Sequence, residues 1–385
     1  MIQISDDLPA APVIRELVHC LAASGAWFNK QSCIAATDYG AGVFATEHFS
    51  DMRSIMRVPI ELMPRISDFS IDIDRYQFRS AEVVGNPTSA QINIMGMMLE
   101  IYNCSSSLTS WERESPYFSL NLFPHVLKHL IFNVSESSEN SEIKSNKLLA
   151  DTFLNSRKLK RGNKEVLDQK KPTSGGEMFL MPMIDIFNHD IRASGYRFSE
   201  STGDGNLRVF SRPDPVSKEL FVKYNDMDAV ASYIKYGFID NSAPFVYSTP
   251  IDLSYRGYDI KIGRSIALAK NVPTAFTDLS RYMPNLAKQD NIVLISKLVI
   301  PGAHAPNALR RVLALILSGL DIPKEKLPIE IKCLEKYIID ENFSYWNRMM
   351  DLIASVPENH QIHQLTDKVI THLETYKQSV MIRDV

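Results

Sequence analysis

Cysteine is scarce in this chain: Cys20, Cys33, Cys104 and Cys333 lie far apart in 385 residues, with no CxxC pair. A zinc site needs clustered ligands and a disulfide framework needs more cysteine per residue, so neither a metal centre nor a disulfide scaffold is expected. Long apolar runs are missing too. No stretch reaches the roughly twenty apolar residues that span a bilayer, so no membrane partner is expected. Residues 1–9 carry Asp6 and Asp7 where a signal peptide would be basic and then apolar. The expectation is a cytoplasmic protein with reduced cysteines. A surplus of positive charge is also lacking: 42 Lys and Arg stand against 45 Asp and Glu, a net charge of −3. A dedicated nucleic-acid binder needs a basic excess for phosphate contacts, so none is expected here.

Several catalytic signatures are missing as well. There is no GxxxxGK[ST] phosphate loop, no GxSxG elbow and no HExxH helix. Gly40-Ala41-Gly42 lacks the third glycine of a dinucleotide fingerprint, and no long helical pattern follows it.

What is present is an ordinary globular composition, 45% hydrophobic and 23% charged, in a chain long enough for two or three domains. Residues 10–30 read as a helix through Val13, Leu17 and Leu21, closing near Gly25. Residues 33–63 read as short strands joined by turns. Helical spacing returns around Ile94, Met98 and Ile101. Residues 134–147 and 160–176 read as polar loops, and residues 179–224 as strand-like. Leu309, Val312, Leu313, Ile316 and Leu317 repeat at helical spacing, and Ile362, Leu365, Val369, Leu373 and Tyr376 make a second stripe. The expected fold class is α+β: short β-sheets over residues 1–260 with a helical insert at about 80–178, then an all-helical domain over 261–385.

Three segments carry chemistry. The first is Tyr39-Gly40-Ala41-Gly42-Val43-Phe44-Ala45, followed by Arg57-Val58-Pro59. The second is Met181-Pro182-Met183-Ile184-Asp185-Ile186-Phe187-Asn188-His189. The third is Phe221-Val222-Lys223-Tyr224-Asn225, with Tyr236-Gly237-Phe238 placing its tyrosine twelve residues after Tyr224. Glycines at 40 and 42 permit a tight turn and close approach of the backbone to a ligand, and either use suits them.

In content and order this set resembles the SET-domain protein methyltransferases, in the branch holding the Rubisco large-subunit lysine methyltransferase and the actin histidine methyltransferase. Ser115-Pro116-Tyr117 and Phe123-Pro124 are similar to a stretch of that branch's helical insert. The resemblance implies S-adenosylmethionine as cofactor, a protein or peptide as substrate, and a substrate-holding role for the C-terminal helices. It implies a catalytic Tyr224 and cofactor contacts from Gly40, Ala41, Gly42, Asp185, Asn188 and His189. Arg157 would pair with the cofactor's carboxylate, a task that suits a planar fork of donors. Phe187, Tyr236 and Phe238 would line a substrate channel whose desolvation helps a target lysine lose its proton. The basic run from Arg157 to Lys171 reads as a solvated loop, or as a patch steering an acidic substrate.

There are departures. Tyr224 is followed by Asn225 where the family has glycine, and Asp228-Ala229 stands where a Ser-Asn pair is usual; Asp228 can still cap the next helix. Three readings stay open: lysine methylation, histidine methylation, and a degenerate member that binds a partner without catalysis.

Overall fold

The computed structural model describes residues 2–38, 40–131, 146–160, 178–198, 206–263, 279, 282–320 and 322–381. The fold is mixed α and β, as expected. It comprises two compact units, Met1–Phe118 with Glu142–Asp226 and Ser119–Ser141 with Met227–Val385. The polar stretches 134–147 and 160–176 fall almost entirely outside the described residues, as does Tyr39.

The first unit is built on short sheets. Gln3–Ile4, Ser32–Thr37 and Gly40–Ala45 form one, with the middle strand parallel to the first and antiparallel to the third. Tyr196–Phe198, Leu207–Ser211, Arg53–Val58 and Trp27–Phe28 form an antiparallel second. The helix Ala11–Ala23 buries Val13, Ile14, Leu17, Val18 and Leu21 on one face. The expected insert opens at Ser89–Cys104, where Thr88 and Gln91 form a reciprocal capping box that satisfies two orphan N–H groups. Asn146–Arg157 packs into the same core through Phe153, whose ring meets Phe78 and Tyr102 at centroid distances of 5.6 and 5.0 Å. Such pairs add about 0.5–1.5 kcal/mol beyond burial, so this helix is anchored at its C-terminal end.

The second unit holds the expected helices, Ala308–Ser318, Leu327–Ile353 and Gln361–Met381. The stripe of Ile362, Leu365, Val369, Leu373 and Tyr376 is fully buried. Its N-terminal part differs from the all-helical expectation. Ile251–Tyr255, Tyr258–Gly263, Ile292–Ser296 and Asn285–Gln289 make a four-stranded sheet, and Val299–Pro301 pairs with Phe245–Tyr247. The first hairpin turns at Arg256 and Gly257, both at positive φ, as a tight primed turn requires. Short apolar runs such as 292–296 have no period that separates strand from helix, and here sheet pairing decides. The compact units also divide after Asp226 rather than near residue 260, and they assign Ser119–Ser141 to the second.

Candidate functional site

The site is assembled by one irregular segment, residues 218–224. Its first half lies antiparallel to Gly40–Ala45: Ala45 N donates to Lys218 O at 3.0 Å and Leu220 N to Val43 O at 2.7 Å. Its second half runs parallel to residues 188–190, with Val222 N donating to Asn188 O at 3.0 Å and Asp190 N to Val222 O at 3.2 Å. Leu220 and Val222 are buried, so apolar anchoring sets the register of both ladders. Three sequence-remote segments thus meet in one main-chain framework.

Asn188 sits where they meet. Its Nδ2 donates to Glu219 Oε1 at 2.7 Å and reaches Ala41 O at 3.4 Å. Glu219 is 9% exposed. Burial pushes its carboxyl above the usual carboxylate range; the bond from Asn188 opposes this, and the charge of Asp214 adds to it. Gly42 makes room for the pair, since a Cβ there would stand 2.8 Å from Glu219 Oε1 and 2.8 Å from the Thr37 methyl. Gly40 has φ +112° with nothing within 4 Å of where a Cβ would point, so it serves the turn rather than a close contact.

His189 and Tyr224 hold one another. Tyr224 N donates to His189 Nδ1 at 3.0 Å, and their rings lie 5.1 Å apart. A ring nitrogen that accepts carries no proton, which places the ring hydrogen on Nε2. The Tyr224 hydroxyl donates to Phe187 O at 2.5 Å. With its hydrogen spent there, the phenolic oxygen has only lone pairs to offer, so toward a ligand it is an acceptor.

Arg157 ends its helix against a wall of rings. Its guanidinium carbon is 3.6 Å from the centroid of Phe153, 5.6 Å from Tyr102 and 5.9 Å from Trp111. Nη1 donates to Phe153 O at 3.2 Å and to Ser156 Oγ at 2.7 Å, and Nε faces Asp185 Oδ2 at 3.8 Å. Burial raises the Tyr102 hydroxyl well above its ordinary value, and the neighbouring Asp185 charge adds to the rise.

The framework therefore brings together Ala41, Gly42, Asn188, His189 and Tyr224, and places Arg157 beside Asp185. Phe187, expected as a channel wall, has a side chain 2% exposed within the core, and its carbonyl accepts from the Tyr224 hydroxyl. Tyr236 and Phe238 belong to the second unit, where their rings stack at 6.0 Å. Asn225 is exposed, bonds the Asp226 N–H at 2.9 Å and does not adopt positive φ, so replacing glycine there strains nothing. Asp228 does cap the next helix, accepting from Ala231 N at 2.8 Å. Sequence reasoning missed Glu219; its one signal was a lone carboxylate directly ahead of the apolar run 220–222.

No family model matches the chain, and no curated protein matches it. Among solved structures it is similar to the SET domain of LSMT bound to lysine and AdoHcy, at 11% identity and a TM-score of 0.42, covering 96% of this chain and 90% of that one. It is also similar to Rubisco LSMT bound to AdoMet, at 10% identity and a TM-score of 0.40, covering 96% and 91%.

Proposed function

We propose that this chain is a protein N-methyltransferase of the SET class that uses S-adenosylmethionine, with lysine as the favoured target. The observation that carries this reading is the convergence of Gly40–Ala45, residues 187–190 and residues 218–224 on Asn188 and Tyr224. The donor set suits the cofactor. Among the described residues nothing accepts from Arg157 Nη2, which leaves that edge of the guanidinium for a carboxylate. Ala41, half-buried on its strand and with only a methyl side chain, leaves its backbone within reach of a ligand. Bound there, the cofactor supplies a methyl group on a sulfonium, ready for in-line displacement.

The chain's own residues supply position. The Tyr224 oxygen, an acceptor on this geometry, suits weak C–H···O contacts from a polarised methyl and an N–H from an incoming amine. His189 holds the Tyr224 main chain, and Phe187 O sets the angle of its hydroxyl. Positioning of this kind supplies several kcal/mol of a displacement barrier, roughly 7–11 at the upper end. The presence of Tyr224, Asn188 and His189 in one framework favours an enzyme over a degenerate, non-catalytic member. Histidine is the alternative target.

Isothermal titration of S-adenosylmethionine into the native chain, Asn188→Ala and Tyr224→Phe tests the reading. The expected result is binding by the native chain, weaker but measurable binding in Asn188→Ala and near-native affinity in Tyr224→Phe. A folded native chain that does not bind sinks it. Mass spectrometry of proteins methylated with labelled cofactor then separates lysine from histidine.

A further inference from the structure

We infer that Glu219 is a positioning residue, one that fixes the amide of Asn188 so that its oxygen, not its nitrogen, is presented to a bound ligand. The inference rests on the methyltransferase reading above and gives that site a residue it did not include. The argument is one of donor and acceptor supply. An amide can present either end, and which end it presents is decided by its neighbours. Here both neighbours are acceptors: the Glu219 carboxylate at 2.7 Å and the Ala41 carbonyl at 3.4 Å. Together they claim both hydrogens of Nδ2. Oδ1 is then the only polar atom of this side chain left for a ligand, and a donor is what it would take.

Glu219 is itself held. Its backbone bridges Phe44, and Glu219 N accepts no freedom from the turn before it, since it donates to Ser217 Oγ at 3.2 Å. Gly42 leaves the space that its carboxylate occupies. A carboxylate kept so nearly buried is costly unless something is gained by its place, and among the described residues its side-chain partner is Asn188. Losing Glu219 would free the amide to turn, and ligand affinity would fall although Glu219 does not touch the ligand.

The experiment is titration of S-adenosylmethionine into the full chain as native, Glu219→Ala, Glu219→Gln, Asn188→Ala and the double variant Glu219→Ala with Asn188→Ala, with melting curves for each. The expected result is a loss of about tenfold or more in Glu219→Ala and affinity within about threefold of native in Glu219→Gln, whose Oε1 can still accept. In the Asn188→Ala background, Glu219→Ala should add no further loss, because it acts through that amide. Should the alanine variant not fold, Glu219→Asp takes its place, being one carbon too short to reach Asn188. Native affinity in Glu219→Ala or Glu219→Asp, or losses that multiply in the double variant, overturns the inference while the native chain still binds. Failure of the native chain to bind is a separate result, which overturns the functional reading and this inference with it.

Discussion

The main-chain N–H of Tyr224 is held by Nδ1 of His189 at 3.0 Å, across thirty-five residues of sequence. A ring of one segment thereby sets the backbone of another. His189→Ala would leave that N–H without its acceptor, at a cost of about 1–3 kcal/mol. Urea unfolding should show a lower midpoint with an unchanged slope, and methyl transfer should slow because Tyr224 is no longer held. A variant with native stability and native turnover would remove His189 from the site.

Arg157 and Asp185 differ in what they are expected to do. Arg157→Lys keeps the charge but gives up the planar fork and the stacking on Phe153, so cofactor affinity should fall about tenfold, near 1.4 kcal/mol. Asp185→Asn should weaken binding less, since the carboxylate at 3.8 Å orients Arg157. Titration of the two variants ranks them. A larger loss in Asp185→Asn would make Asp185 a direct contact instead.

Asp228 is fully buried and accepts from two backbone donors, Ala231 N at 2.8 Å and Tyr247 N at 2.8 Å. An exposed helix cap is worth ~1 kcal/mol, but Asp228→Ala strands the buried N–H of Tyr247 as well as the half-buried N–H of Ala231 and should cost about 2–4 kcal/mol. Denaturant unfolding measures this directly. A loss under about 1 kcal/mol would mean that water or a shift of the chain replaces the carboxylate.

Acid should weaken the second unit. Burial holds His129, His360 and His372 below the usual histidine range, although carbonyls beside each oppose it. Arg348 beside His129, His363 beside His360 and Lys368 beside His372 lower them further, while Asp228 raises His372. The unfolded chain then binds more protons than the folded one, so this contribution is full above the unfolded value near 6.5 and is lost as pH falls below it. Melting temperature followed from pH 8 to pH 5 should decline, and less steeply in a His372→Gln variant. A flat profile would show that these rings are solvated.

The sequence by itself determined the local pieces, because their causes are local. Asp228 announces a helix start and the stripe from Ile362 to Tyr376 a buried helix face, both readable from spacing along one element. Motif order was enough to single out Asn188, His189 and Tyr224. Only the tertiary structure decided how these pieces meet. Segment 218–224 lies in a stretch that reads as strand-like, but which segments it pairs with, and that it carries two ladders, follow only from the separate segments that flank it. The burial of Phe187, the sheet at residues 251–296 and the role of Glu219 likewise depend on partners far away in sequence. A carboxylate ahead of an apolar run looks like a surface residue until the glycine that makes room for it and the amide that needs it are brought alongside.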